Sequence, residues 1–130
     1  MIYVIPGKPV SIIKIREAQK RKSWDDQSEA KARIAVDLVN QHGELPLYDG
    51  PLKLEVSFYF QFLQPVSRDK VSIMRERGHV INPGLSDLIQ FIEWVGKGII
   101  FSHDYLIASI DARKCFDDTA RTEFVIKRLE

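Results

Sequence analysis

The chain has 130 residues, 45% of them hydrophobic and 28% charged, with a net charge of +1. That is the length of one domain with an ordinary core and the balance of a soluble globular protein, and so small a net charge points to no particular partner. Its apolar runs are short and broken by charge, which excludes a membrane-spanning helix, and the opening MIYVIPGKP has no basic region before an apolar stretch, so no secretory signal is expected.

In chain order, Met1 to Ile5 reads as a first strand, stopped by Pro6-Gly7. Ser23 followed by Asp26 has the spacing of a helix start, and Ala30, Ile34 and Leu38 then recur at helical spacing until His42-Gly43. After Pro51, Leu52, Leu54, Val56, Phe58, Phe60 and Phe62 alternate strictly with Lys53, Glu55, Ser57, Tyr59 and Gln61. Such alternation predicts a strand with one buried face. Residues 63–84 carry no sustained period and read as a long connection, a feature often tied to function. A second helix is predicted over residues 85–95, with Leu88, Ile89, Phe91, Ile92 and Val95 inward and Gly96 and Gly98 ending it. Residues 99–101 are a short strand or turn. Leu106, Ala108, Ile110 and Ala112 then alternate with Ile107, Ser109, Asp111 and Arg113, and residues 121–129 form a last strand after the Asp117-Asp118 turn. The expected class is α+β in a single domain over residues 1–130, with a mixed or antiparallel sheet packed with two main helices.

Two stretches carry chemistry. Lys14, Arg16, Lys20, Arg21 and Lys22 stand against the single acid Glu17, a local positive excess that suits either a solvated loop or a phosphate backbone. The second is INPGLSDLIQF, residues 81–91. Read locally, Pro83-Gly84 breaks the chain, Ser86 or Asp87 caps the helix, and Gln90 completes a capping box. The lone Cys115 cannot form an internal disulfide, fits a reducing cytoplasm and has none of the neighbours of a nucleophile or zinc site.

The larger order is more specific. Asn-Pro-Gly-Leu-Ser-Asp-Leu opens a helix, a glycine turn follows, then Ser102-His103-Asp104, a strand, and Lys114. Near the start, Gly7-Lys8-Pro9 precedes the basic pair Lys14 and Arg16. This arrangement resembles the RusA family of Holliday junction resolvases, in which Gly-x-Pro and a basic-x-basic pair precede Lys-Pro-Asp-x-Asp-Asn-Leu, a helix, an Asp-Asp pair and a strand ending in lysine. The resemblance implies a homodimer that nicks four-way DNA junctions symmetrically, using magnesium held by aspartates, with manganese as an alternative ion. It implies branched or duplex DNA as partner, and a phage or mobile-element setting. By the same resemblance Asp104, Asp87 and Lys114 are the candidate catalytic residues and Asp104 and Asp87 candidate metal ligands; His103, beside Asp104, is a third candidate ligand by the chemistry of its ring. Lys14, Arg16, Lys20, Arg21, Lys22, Arg75 and Arg77 are the candidate DNA contacts.

The chain departs from the family pattern at the acids. Asn82 replaces the usual lysine, Gly84 the first aspartate and Ser86 the second. Asp87 stands one place late, Gln90 takes the place of a helix lysine, and His103 replaces the first member of the Asp-Asp pair. A one-residue shift turns a helical side chain by about 100°, so Asp87 is expected to point away from the position it would replace. The expected function is a resolvase homologue with impaired or lost metal-dependent cleavage. The alternatives are a non-catalytic junction binder and a dimeric protein-interaction module.

Overall fold

The computed structural model describes residues 1–12, 21–62, 68–78 and 83–130. Among them four strands form one sheet: β1 (Tyr3–Pro6), β2 (Leu52–Gln61), β3 (Ile107–Asp117) and β4 (Arg121–Arg128). The spatial order is β1-β4-β2-β3. β4 runs antiparallel to both β1 and β2, whereas β2 and β3 are parallel. A parallel pair needs a crossover connection, and this one holds two helices, α2 (Arg68–Arg77) and α3 (Leu85–Gly96). The long helix α1 (Arg21–His42) joins β1 to β2.

The alternation read in β2 is realised from Leu52 to Phe60, while Phe62 lies just past the strand and is half-buried. Leu52, Leu54, Val56, Phe58 and Phe60 are buried, and together with Tyr3, Ile5, Phe124 and Ile126 they form the inner face of the sheet. Leu38 and Ile34 of α1 and Leu88, Phe91, Ile92 and Val95 of α3 pack in the same cluster. Each such side chain contributes about 1.5–3 kcal/mol when taken from water.

Several expectations are corrected. The connection over residues 63–84 contains α2, so the described residues hold three α-helices, one beside the two main ones expected. Among its described side chains only Val71 and Met74 are half-buried, one turn apart, which is too short a stripe to show as a period. α1 already includes Arg21 and Lys22, placing Ser23 inside the helix instead of at its cap; lysine and arginine are good helix formers and carry the turn backward. In β3 the alternation changes phase. Leu52 is opposite Ile107 but Lys53 is opposite Ser109, so Ala108 is an extra residue. Ile107, Ile110, Ala112, Lys114 and Phe116 therefore lie level with the inward residues of β2, although Ile110, on the sheet edge, stays 44% exposed.

Polar side chains close the margins of the core. The Gln41 amide donates to the Val4 carbonyl (2.7 Å) and accepts from the Val4 N–H (2.8 Å), standing where a further strand would pair with β1. The buried Tyr3 hydroxyl bonds His42 Nδ1 at 2.7 Å, while His42 Nε2 is 3.1 Å from the Pro46 carbonyl. A carbonyl only accepts, so Nε2 carries the ring proton and the hydroxyl donates to Nδ1. Burial, with Tyr48 adding to it, pushes the Tyr3 hydroxyl up to about 12.

Candidate functional site

The start of α3 is where separated pieces of the sequence meet. Its N-cap is Gly84, in extended conformation and without a side-chain cap bond. Ser86 and Asp87 are the second and third residues of the helix, so neither is the cap and the capping-box reading does not hold. The reason is the Pro83-Gly84 break, which starts the helix earlier than the polar pair requires. Ser86 is exposed, whereas Asp87 is half-buried with Oδ1 shielded from solvent. An acid in this first turn also suits the helix dipole.

Three contacts tie other elements to this end. The Asp87 carbonyl accepts from the Ile12 N–H at 3.0 Å, which brings in the segment that leads to the basic pair. Gln27 of α1 donates to the Ser11 carbonyl at 2.7 Å and holds that same segment. Lys114, level with Phe58 on the inner side of β3, donates Nζ to the Pro83 carbonyl at 2.8 Å. Beside it Gly78 follows α2 with a φ of +79°, and a Cβ there would stand 3.0 Å from the Lys114 carbonyl. Glycine is suited to both the left-handed backbone and the close approach. Sequence reasoning missed Ile12, Gln27 and Gly78. Only Gly78 left a signal, as a helix stop after Arg75 and Arg77.

The other end of α3 is different in kind. His103 is the extended residue before a single 3-10 turn, Asp104–Leu106. Both His103 and Asp104 are exposed, and the His103 ring stacks on exposed Tyr105 with centroids 4.6 Å apart. Asp104 faces Glu93, whose carboxyl is raised above its usual range first by burial and then by the Asp104 charge. Asp87 and Glu93 are separated by six residues of helix, on the order of 9 Å along the axis. From Ile107 to Lys114 the strand advances roughly 23 Å.

Lys114 and Asp87 are thus brought to one end of α3, and His103 and Asp104 to the other. Arg21 and Lys22 occupy the first two positions of α1, and Arg75 and Arg77 the last turn of α2, next to Gly78. Lys14, Arg16, Lys20 and Asn82 lie outside the described residues. Magnesium takes hard oxygen ligands at about 2.0–2.1 Å, so its carboxylates must converge within a few ångströms. No group of three or more His, Cys, Asp or Glu side chains converges in that way among the described residues. Gly84 and Ser86 add no carboxylate, and this donor set does not fit the ion.

The sheet face turned away from the helices is covered by paired charges. Lys127 bonds Glu55 at 2.8 Å, and Arg121 bonds Asp117 and Glu123 at 2.9 Å each while lying 4.0 Å over the Tyr59 ring. The bond from Lys127 is the main reason the Glu55 carboxyl titrates below its usual range. A shallow depression of about 300 Å³ on this face is lined by Glu55, Asp111 and Glu123 against the single cation Arg113. That lining is unfavourable to a phosphate backbone.

A mixed sheet in the order β1-β4-β2-β3, with a strand lysine docked on the helix that opens with Asn-Pro-Gly-Leu-Ser-Asp, is an α+β architecture with its polar site at a helix N-terminus. The sequence profile of the endodeoxyribonuclease RusA family matches residues 6–127. The chain belongs to the RusA family, whose members are metal-dependent nucleases acting on branched DNA. No curated protein and no solved structure matches the chain at a significant level. No helix among the described residues is long and apolar enough to cross a membrane.

Proposed function

We propose that this RusA-family chain is a cytoplasmic, homodimeric, Holliday-junction-resolvase-like protein that binds branched DNA and whose metal-dependent cleavage is impaired. The observation that carries the reading is the division of the acids: Asp87 is at the start of α3, Asp104 faces Glu93 further along it, and Gly84 and Ser86 offer no carboxylate. In enzymes whose catalytic groups act as a unit, removing one can lower the rate by about 10⁴ or more, so a donor set this dispersed is a poor basis for hydrolysis. DNA approaches the end of the fold where Lys114, the last turn of α2 and the chain leading to Lys14 and Arg16 come together. The acid-lined depression disfavours the open sheet face for that role. Two-fold symmetry in the protein suits the symmetry of a four-way junction.

The test is to incubate pure protein with a labelled four-way junction, with magnesium and separately with manganese, and to measure binding at two salt concentrations. The expected result is an intact junction bound with an affinity that falls steeply with salt; six or more phosphate contacts lose about 10³-fold between 50 and 200 mM. Symmetric nicks that disappear in Asp104→Asn would overturn the impaired-cleavage reading. Absence of binding at low salt would overturn the DNA reading and leave a protein-interaction module.

A further inference from the structure

Aromatic rings at the surface of this fold differ in what covers them. Lys31 Nζ lies 3.9 Å over the Trp94 ring, the Arg121 guanidinium 4.0 Å over Tyr59 and the Arg128 guanidinium 5.3 Å over Tyr48. Those three rings are half-buried, whereas Tyr105 is 74% exposed. It is stacked on the exposed His103 ring, 4.6 Å away and within 9° of parallel. Among the described residues no cation of the chain stands over Tyr105, and neither ring belongs to the core. The Leu106 N–H bonds the His103 carbonyl at 3.3 Å and closes the 3-10 turn that carries Tyr105, so the pair is set before anything binds. The charge nearby is negative. Asp104 stands between the two rings in the chain and faces Glu93, and Asp49 accepts from the Ser102 hydroxyl at 3.3 Å. Lys97 is the one base between Glu93 and Asp104 in the sequence.

We infer that the Tyr105 ring, with Asp104 next to it, is a docking point for an arginine side chain of a partner protein. A ring face carries the negative side of the aromatic quadrupole and attracts a cation, as Trp94, Tyr59 and Tyr48 do within the chain. The acids Asp104, Glu93 and Asp49 favour that cation and disfavour a phosphate. Arginine fits better than lysine because its planar guanidinium stacks on a ring while its N–H fork bonds a carboxylate; an ammonium has no plane to stack. An exposed aromatic residue paired with an arginine is also a common anchor of protein interfaces. The inference is independent of the DNA reading, which uses the opposite end of α3, and it gives the chain a second surface with a different class of partner.

The test is a nuclear magnetic resonance titration of the full chain with N-acetyl-arginine methylamide and with its citrulline counterpart, which keeps the planar shape and lacks the charge. The arginine compound is expected to shift the His103–Leu106 amides and the Tyr105 ring signals, and to bind at least about threefold more tightly than the citrulline compound. Tyr105→Ala should abolish that preference, Tyr105→Phe should keep it because the ring face remains, and Asp104→Asn should reduce it. Melting temperatures equal to that of the wild type would show that these exposed positions can be changed without loss of the fold. Equal binding of the two compounds, shifts centred elsewhere, or a preference that survives Tyr105→Ala would overturn the inference. So would a Tyr105→Ala variant with reduced affinity for a four-way junction, since the ring would then serve DNA. A wild type that binds arginine here but no junction would remove the DNA reading alone.

Discussion

The two ends of α3 are built by opposite means. At the C-terminal end the helix stops on Gly96, and a Cβ there would come within 2.8 Å of the Phe101 ring. Ile100 and Phe101 are fully buried, and the Ile99 and Ile100 N–H groups both bond the Gly96 carbonyl. At the N-terminal end there is no side-chain cap bond, Ser86 is exposed, and the contacts among the described residues include polar bonds from Lys114 and Ile12. The packed end holds the helix in place, and the open end exposes Gly84 and Ser86. Asp104 belongs to the surface of the packed end, although the resemblance pairs it with residues of the open one.

The contrast predicts a graded series of effects. Phe101→Ala should cost about 3–5 kcal/mol, read from urea unfolding, because the ring leaves a cavity beside Gly96. A loss under 1 kcal/mol would mean that this end is looser than its contacts imply. Lys114→Gln should cost only about 0.5–1.5 kcal/mol, the size of one partly buried hydrogen bond. The same change should lower junction affinity and reduce the slope of log K against log salt by about 1, if Lys114 meets a phosphate. An unchanged slope would remove Lys114 from the DNA surface.

Smaller effects separate the two ends by charge. Glu93 titrates above its ordinary 4.5 in the folded protein, so the fold binds the proton more tightly than the unfolded chain does. Its contribution is therefore fully present below that value and is lost as pH rises through the raised one. Glu93→Gln should flatten stability in that window and add no more than about 0.5 kcal/mol at neutral pH, the usual size at a half-exposed position. Asp104→Asn should act in the same direction and more weakly. At the open end, a side chain at Gly84 meets nothing within 4 Å, so Gly84→Asp should be accommodated and, as a better cap, stabilise by a few tenths of a kcal/mol. Thermal melts of the three variants against pH would show whether the ends differ in this sense.

The strand β2 and the inward face of α3 were legible in the sequence because their periods are long and uninterrupted: Leu52 to Phe60, and Leu88, Phe91, Ile92 and Val95, are all buried. The order of motifs that marks the RusA family was legible for the same reason, since spacing along the chain survives substitution of individual acids. α2 was not, because among its described side chains only Val71 and Met74 are half-buried, while the apolar Ile73 is exposed and breaks the pattern. The phase of β3 was not, because an extra residue at Ala108 is defined only by the partner strand. Local pattern can state which face of an element is apolar, but it holds no information about which distant residue that element will meet. Only the tertiary structure decided that Lys114 reaches Pro83, that Ile12 joins Asp87, and that Asp104 faces Glu93. Those pairings follow from strand order and helix direction, which are properties of the whole chain's packing.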